Sequence, residues 1–154
     1  MHALFTLVPV ALIIIVTLLF SRQSHKMPEL EPMVAEPDSP ILGEEGVLVE
    51  DLRIEVEDGK TAVILPAGAP VEARKWETLS TTEKHQEFID FNLYRGMSEL
   101  AADNTLIGKF RIFGIPKGRA GGPQIQARFA VNDGAIEIAT HDLKRGVNMI
   151  TKKL

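Results

Sequence analysis

From Val47 onward, apolar and polar positions alternate with a period of two. Leu52, Ile54 and Val56 alternate with Arg53, Glu55 and Glu57, and Asp58-Gly59 follows as a turn. Successive side chains leave a strand on opposite faces, so this period predicts strands with one buried face. "TAVILP" is a short apolar strand stopped by Pro66 and the turn "AGAP". Lys75 to Thr82 is a third run, with Trp76 and Leu79. Ile89, Phe91 and Leu93 alternate with Asp90, Asn92 and Tyr94 until Arg95-Gly96 ends the run. Leu106 to Phe113 is a fifth. Ile125, Ala127, Phe129 and Val131 oppose Gln124, Gln126, Arg128 and Asn132, Asp133-Gly134 supplies a hairpin turn, and Ile136 and Ile138 resume the alternation. "VNMITKK" makes an eighth. The segment "MSELAAD" is the one candidate for a helix, of about two turns at most. Close spacing without a long helical period predicts an all-β fold, an antiparallel β-sandwich of about eight strands, over residues 47–154.

The stretch "GRAGGPQI", residues 118–125, has the glycines and the arginine of a phosphate cradle. A phosphate loop needs a helix behind it, so that backbone N–H groups and the helix dipole face the anion. Here a strand follows, and no Lys-Ser or Lys-Thr pair succeeds the glycines. A nucleotide site is not expected.

The N-terminal residues are of another kind. Residues 3–20, "ALFTLVPVALIIIVTLLF", run for eighteen positions without a charge. That length crosses the hydrocarbon core as a helix, and Pro9 near its start is tolerable there. A cleaved signal peptide fits less well, because the run is long and "LLFSRQSH" offers no small-x-small cleavage site. A soluble helix would keep a polar face. The expectation is one retained transmembrane helix. Arg22, His25 and Lys26 follow it, and basic flanks stay on the cytoplasmic side. This predicts a single-pass membrane protein, of the bacterial inner-membrane type, with its β-domain on the cytoplasmic side. Residues 21–46 then form an acidic, Pro-rich linker. Within residues 27–46, four prolines and six acidic residues leave little to bury, which predicts an extended solvated spacer.

The chain has 154 residues, a net charge of −4 and no cysteine. One domain of moderate size fits that length. The charge argues against a nucleic-acid partner, since phosphate backbones demand clustered Lys and Arg. Without cysteine there is neither a disulfide nor a thiolate metal site. His2, His25, His85 and His141 are scattered without ligand spacing, so no metal site is expected. Thr140, His141 and Asp142 are consecutive on a strand and face alternate sides, so they cannot form a catalytic relay. No nucleophile–base set is visible, and the chain is not expected to be an enzyme.

Residues 96–138 carry a more specific signal. "ELAADNTLIGKF" places Ala102, Asp103, Asn104, Gly108 and Phe110, and "GIPKGRAGGPQIQARF" places Gly-Ile-Pro, a glycine-proline loop, Pro-Gln-Ile and a phenylalanine. In these positions the chain resembles the substrate-binding β-domain of the seventy-kilodalton heat-shock chaperones, the DnaK type. Residues 47–95 match more loosely, in strand order and in "RIEV…LPAGAP…LSTTE", and "VLVED" is similar to the family's apolar interdomain linker. On this resemblance the Gly/Pro loop is a crossing between strands.

The resemblance implies that an extended peptide lies in a channel between loops at one end of the sandwich. Its central aliphatic pocket would be lined by Ile54, Leu79, Ile89, Phe91 and Ile125, with Thr82 at one side of the arch over the peptide. From the pattern alone, the same five residues read as sandwich core, and only the resemblance points to a pocket. The chain departs from the family in four places, one of them Thr82, which stands where many relatives have a small apolar residue. The opposite arch loop, "EVEDGK", is short and acidic where the family carries a methionine. Phe91 replaces a smaller aliphatic residue. The turn "NDG" is one residue shorter. A chain of this span is also expected to lack the family's nucleotide-binding domain and helical lid, and so to have no ATPase of its own and need no cofactor. The expected partners are an extended hydrophobic peptide or unfolded protein, the membrane through residues 3–20, and a complete chaperone or co-chaperone. The rival expectation is a membrane-tethered scaffold domain that no longer binds peptide.

Overall fold

The structure, a computed structural model, describes residues 31–154. The expected transmembrane helix over residues 3–20 and the first part of the linker lie outside the described residues. Among the described residues, no helix is long and apolar enough to cross a membrane.

The alternating runs become strands, and most of their apolar positions turn to the buried side. Ten strands result: β1 (Met33–Ala35), β2 (Asp51–Glu55), β3 (Thr61–Leu65), β4 (Arg74–Leu79), β5 (Phe88–Gly96), β6 (Thr105–Phe113), β7 (Ile125–Asn132), β8 (Ala135–Asp142), β9 (Val147–Asn148) and β10 (Ile150–Lys153). They form two antiparallel five-stranded sheets. One has the order β1-β8-β7-β4, with β9 also on β8, and the other the order β10-β6-β5-β2-β3. The all-β sandwich expected from the alternation is therefore the observed architecture.

The inner faces meet in one apolar cluster. At its centre Phe91 stacks on Phe110 of the neighbouring strand, with ring centroids 5.4 Å apart, and meets Phe129 of the facing sheet edge-on at 6.0 Å. Both geometries suit the ring quadrupole, and such pairs add to what area burial already contributes. Ile89, Leu93, Ile112 and Ile138 surround the rings, each at most 1% exposed.

Four details differ from the sequence reading, each for a physical reason. The run "VNMITKK" is two strands rather than one. β9 pairs with β8, and β10 with β6 of the other sheet, so the chain changes sheets at Met149, whose N–H bonds to Thr140 O at 2.9 Å. "MSELAAD" yields only a 3₁₀ turn, Ala101–Asp103. Asn104 competes for the preceding carbonyls: its Nδ2 donates to Ser98 O and Leu100 O, at 2.8 and 2.9 Å, and its Oδ1 accepts from Ser98 N–H. Asn104 also fixes Gly96, which has φ +147°; a Cβ there would lie 2.1 Å from Asn104 Oδ1. Arg53, read as a solvent-facing position, is buried. The loop after β5 folds over it, and its guanidinium bonds to Asp51 at 2.7 Å, to Gly96 O at 3.3 Å and to Thr61 Oγ1 at 3.3 Å. Asp51 Oδ1 in turn accepts from Ala67 N–H at 2.8 Å, so neither charge is left unpaired.

The fourth difference lies in the expected spacer. Met33–Ala35 pairs with Ile136–Ile138 as the edge strand β1, and Ala35 and Ile41 are only 3% and 4% exposed. Leu42 bridges to Leu48, and Val47 to Pro70. The packed body thus reaches back from Val47 to Met33. Pro32 and Pro37 flank β1 and cap its length. Two expectations follow. A protein spanning residues 31–154 should fold, and one spanning 46–154 should be less stable by about 2–4 kcal/mol, from the lost burial of Ala35 and Ile41. Urea unfolding of the pair measures this, and equal stabilities would separate β1 from the fold.

Glu77 generates the other expectation. It shares the inward face of β4 with Leu79, at the sheet edge, and is only 9% exposed. Burial raises its carboxyl above the ordinary value, against a smaller opposing pull from Lys75. An acid whose folded value is raised favours the fold only while protonated. That contribution is fully present below its unfolded value and is lost as pH rises through the folded one. Glu77→Gln should therefore raise the thermal midpoint at neutral pH and change it little below about pH 4. Melting curves at both pH values test it; a less stable variant at neutral pH would contradict the burial argument.

Candidate functional site

The five proposed pocket residues come from four strands. Leu79 of β4 and Ile125 of β7 are direct cross-strand partners. Ile89 and Phe91 lie two apart on β5, opposite Ile112 and Phe110 of β6. Ile54 of β2 pairs with Leu93 of β5, the next inward position beyond Phe91. All five belong to the one apolar cluster and all are 0% exposed. Leu79, Ile125 and Ile89 lie at the same strand ends, beneath the loop 80–87. Phe91 lies deeper, in the aromatic centre.

Thr82 stands apart from these five. It follows the end of β4, in the loop 80–87, and is half-buried. Its backbone N–H and that of Glu83 donate to Gln86 Oε1, at 3.2 and 3.3 Å, and Gln86 Nε2 donates to Phe88 O at 2.7 Å. The loop therefore closes on itself through one glutamine. His85 turns it with φ +61°. Among the described residues, the hydroxyls of Thr81 and Thr82 are buried without a protein hydrogen-bond partner, and Thr81 is 1% exposed. A buried hydroxyl left unpaired costs about 1–3 kcal/mol.

The glycine-proline loop has a definite task here. Loop 114–124 braces loop 80–87 from behind. His85 N–H donates to Gly118 O at 2.7 Å, Gly121 N–H to Thr81 O at 2.7 Å, and Ile115 N–H to Glu87 O at 3.0 Å. Ser80 Oγ donates to Pro123 O. Gly121, with φ +73°, takes the left-handed conformation that presents its N–H to Thr81. On its other flank the loop is held by the turn after β8. Lys144 Nζ donates to Gly122 O at 2.7 Å, and Arg145 Nη2 to Gly114 O at 3.0 Å. Asp142 orders that turn: it accepts from the N–H groups of Lys144 and Arg145 and from Arg145 Nε at 2.6 Å. Burial alone would raise the Asp142 carboxyl, and these donors outweigh it, holding the group below the ordinary value. No periodicity in the sequence announces these braces, whose partners lie from 22 to 43 residues apart.

On the facing loop, residues 56–60 form a tight 3₁₀ turn in which Val56 N–H donates to Lys60 O at 2.7 Å. Asp58, at φ +61°, and Gly59, at φ +67°, reverse the chain there. Loops 56–60 and 80–87 leave the same end of the sandwich, because β2 runs antiparallel to β5. At the β8 end, Thr140 bonds to Thr151 at 2.9 Å, His141 to Asn148 at 3.2 Å, and Asp142 to Arg145. These three neighbours thus serve separate structural contacts.

Comparison with known proteins agrees with this arrangement. The family "Hsp70 protein" matches residues 45–152. The Chaperone protein dnaK1 of Prochlorococcus marinus is 33% identical over 96 residues, covering 62% of this chain and 14% of that protein. The Chaperone protein DnaK of Thermosipho africanus is 33% identical over 117 residues, 69% of this chain and 20% of that protein. That of Thermotoga petrophila is 32% identical over 96 residues, 62% of this chain and 16% of its own. The chain spans a fifth or less of the length of these curated relatives. The match covers β2 to β9, most of β10 and both loops at the end of the sandwich: the chain belongs to the Hsp70 protein family, of the DnaK type.

Proposed function

We propose that the sandwich is a chaperone-like module that binds extended hydrophobic segments of unfolded proteins between loops 56–60 and 80–87. It is tethered to the membrane by residues 3–20. The observation that carries the reading is the pair of buried, unpartnered hydroxyls of Thr81 and Thr82 on a loop above aliphatic side chains. A peptide backbone beside that loop supplies the partners these hydroxyls lack. Leu79, Ile89 and Ile125 supply the apolar floor. Because their exposure is zero, an incoming side chain enters only as loop 80–87 lifts. Its cross-links to loop 114–124 then set the cost of opening.

The same closure favours a second reading, a tethered interaction or scaffold domain that recruits a complete chaperone or co-chaperone through its outer surface. The two readings part on affinity. Burying one Leu side chain contributes about 1.5–3 kcal/mol, and each backbone hydrogen bond roughly 1 kcal/mol. Association costs at least about 4 kcal/mol before the loop is lifted. The dissociation constant should fall near 10 µM to 1 mM, about −7 to −4 kcal/mol. A fluorescent Leu-centred heptapeptide titrated into residues 31–154 measures it. Ile89→Phe adds volume to the floor and should abolish binding, at a stability cost of about 1–3 kcal/mol. A Leu→Asp peptide should not bind. If wild type fails to bind at millimolar protein, or variant and wild type bind alike, the scaffold reading replaces this one.

Topology has its own test. Arg22 and Lys26 follow the apolar stretch and favour a cytoplasmic β-domain. A reporter active only outside the cytoplasm, fused after Leu154, should stay silent, and strong activity would reverse the orientation.

A further inference from the structure

On the outer face of the sheet β10-β6-β5-β2-β3, Phe88, Phe113 and Ile150 stand in one row across three strands, because Phe88 pairs with Phe113 and Phe113 with Ile150. They are 37%, 38% and 63% exposed. Scattered apolar residues on a surface need no explanation, but a contiguous row on a solvated sheet face marks a contact surface.

The next row is charged: Asp90, Arg111 and Lys152. Arg111 holds Asp90 in a two-pronged bond, with both distances 2.7 Å, and its guanidinium lies 3.7 Å from the Phe88 ring centroid. The Lys152 ammonium lies 5.9 Å from the Phe113 centroid. Beyond them Lys109 faces out, opposite Asn92, and the exposed Leu154 follows β10, its N–H bonding to Lys109 O at 2.8 Å. Asp90 is neutralised by Arg111, Glu55 is engaged by Asn92 and Tyr94, and Glu87 pairs with Lys117 at 3.2 Å. The face therefore interleaves exposed rings and aliphatic groups with the cations Lys109 and Lys152.

Its position relative to the incoming chain supplies the occupant. Glu31, Pro32 and Met33 share a groove of about 530 Å³ with Met149 and Ile150. The chain thus enters the described body beside Ile150. Ten residues, 21–30, separate that point from the uncharged stretch 3–20. Fully extended, they reach at most about 35 Å. An anchor at residues 3–20 keeps this row within reach of the bilayer. Aromatic rings and lysines are also the groups that settle at headgroup level, rings in the interface and ammonium groups toward lipid phosphate.

We propose that the Phe88–Phe113–Ile150 face, with Lys109 and Lys152, docks on an anionic lipid surface and sets the orientation of the domain on its tether. This rests on reading residues 3–20 as an anchor. The chain's net charge is −4, so the attraction belongs to this face and turns the domain rather than recruiting it. Docking brings loop 80–87, which leads directly into Phe88, to the bilayer surface.

Trp76 is the one tryptophan and lies on β4 of the opposite sheet, paired with Arg128. This gives a built-in control. The full chain is reconstituted into vesicles of phosphatidylcholine and phosphatidylglycerol with brominated acyl chains. Two reporters, Phe113→Trp and Ile150→Trp, are each placed in a Trp76→Phe background, and circular dichroism confirms the fold. Both reporters should be quenched severalfold more than the native Trp76. The excess should disappear in pure phosphatidylcholine, and with Lys109→Glu/Lys152→Glu. If the chain floats with the vesicles but neither reporter is quenched more than Trp76, the docking is overturned while the anchor stands. If the chain does not float, the anchor reading fails and the docking with it. Quenching indifferent to lipid charge and to the double charge reversal overturns the anionic surface. A concentration-dependent emission shift of either reporter without lipid overturns it in favour of a second copy of the chain.

Discussion

Three phenylalanine rings join the two sheets. Phe91 stacks on Phe110 within its own sheet and meets Phe129 of the other edge-on, and all three are 0% exposed. Truncating a buried phenylalanine typically costs about 3–5 kcal/mol, a large part of the roughly 5–15 kcal/mol that holds a domain of this size folded. The rings fix how far apart the sheets stand, and so how much space remains beneath the loops at the end of the sandwich. Phe91 takes up volume on the inner face of β5, next to Ile89. Any opening for a ligand therefore has to come from the loops, because the aromatic centre is fully packed.

Those loops are held by backbone atoms more than by side chains. Loop 80–87 hangs on three N–H···O bonds shared with loop 114–124 and on the Ser80 hydroxyl. Loop 114–124 is in turn held by Lys144 and Arg145, in a turn that Asp142 orders. Glycine and proline suit such a loop. Gly121 reaches a backbone conformation closed to other residues without strain, and Pro123 gives up its carbonyl without needing a donor of its own. The motif that looked like a phosphate cradle uses the Gly121 N–H on Thr81 O and the Gly122 N–H on Arg119 O instead of on an anion.

How much of this the sequence shows depends on the range of the interaction. Strand runs were legible, because a two-residue period is local and the apolar set of β5 or β7 falls cleanly on one face. The sheet switch at Met149 was not, since a continuous run looks the same whether its ends pair with one sheet or two. Nor was the burial of Arg53. Its polar position in the alternation is real, but the outer face there is covered by residues more than forty positions away, at Gly96 and Ser98. Of the site residues, Leu79 and Ile125 are cross-strand partners, and Ile54, Ile89 and Phe91 share the opposite inner face. Their complete burial was open in the sequence, where a core and a pocket lining have the same pattern. The aromatic cation face was hidden for the same reason as Arg53: Phe88, Phe113 and Ile150 belong to three separate runs, and only the register aligns them.

The expected spacer shows how one short strand changes the mechanics of the whole chain. Its composition gives little reason to fold, yet Met33–Ala35 covers the exposed edge of β8, beside which β9 takes the remainder. An uncovered strand edge invites pairing with other chains, and a three-residue strand flanked by prolines closes it without offering a long new edge. The consequence for a membrane tether is geometric. Twenty-six free residues, 21–46, would reach about 85 Å, whereas the ten that precede Glu31 reach about 35 Å. By docking as β1, the spacer gives up most of its length. On the proposed membrane tether, a domain entering beside Ile150 would have few orientations relative to the bilayer, and the face proposed to turn toward lipid is the one carrying Phe88, Phe113 and Lys152.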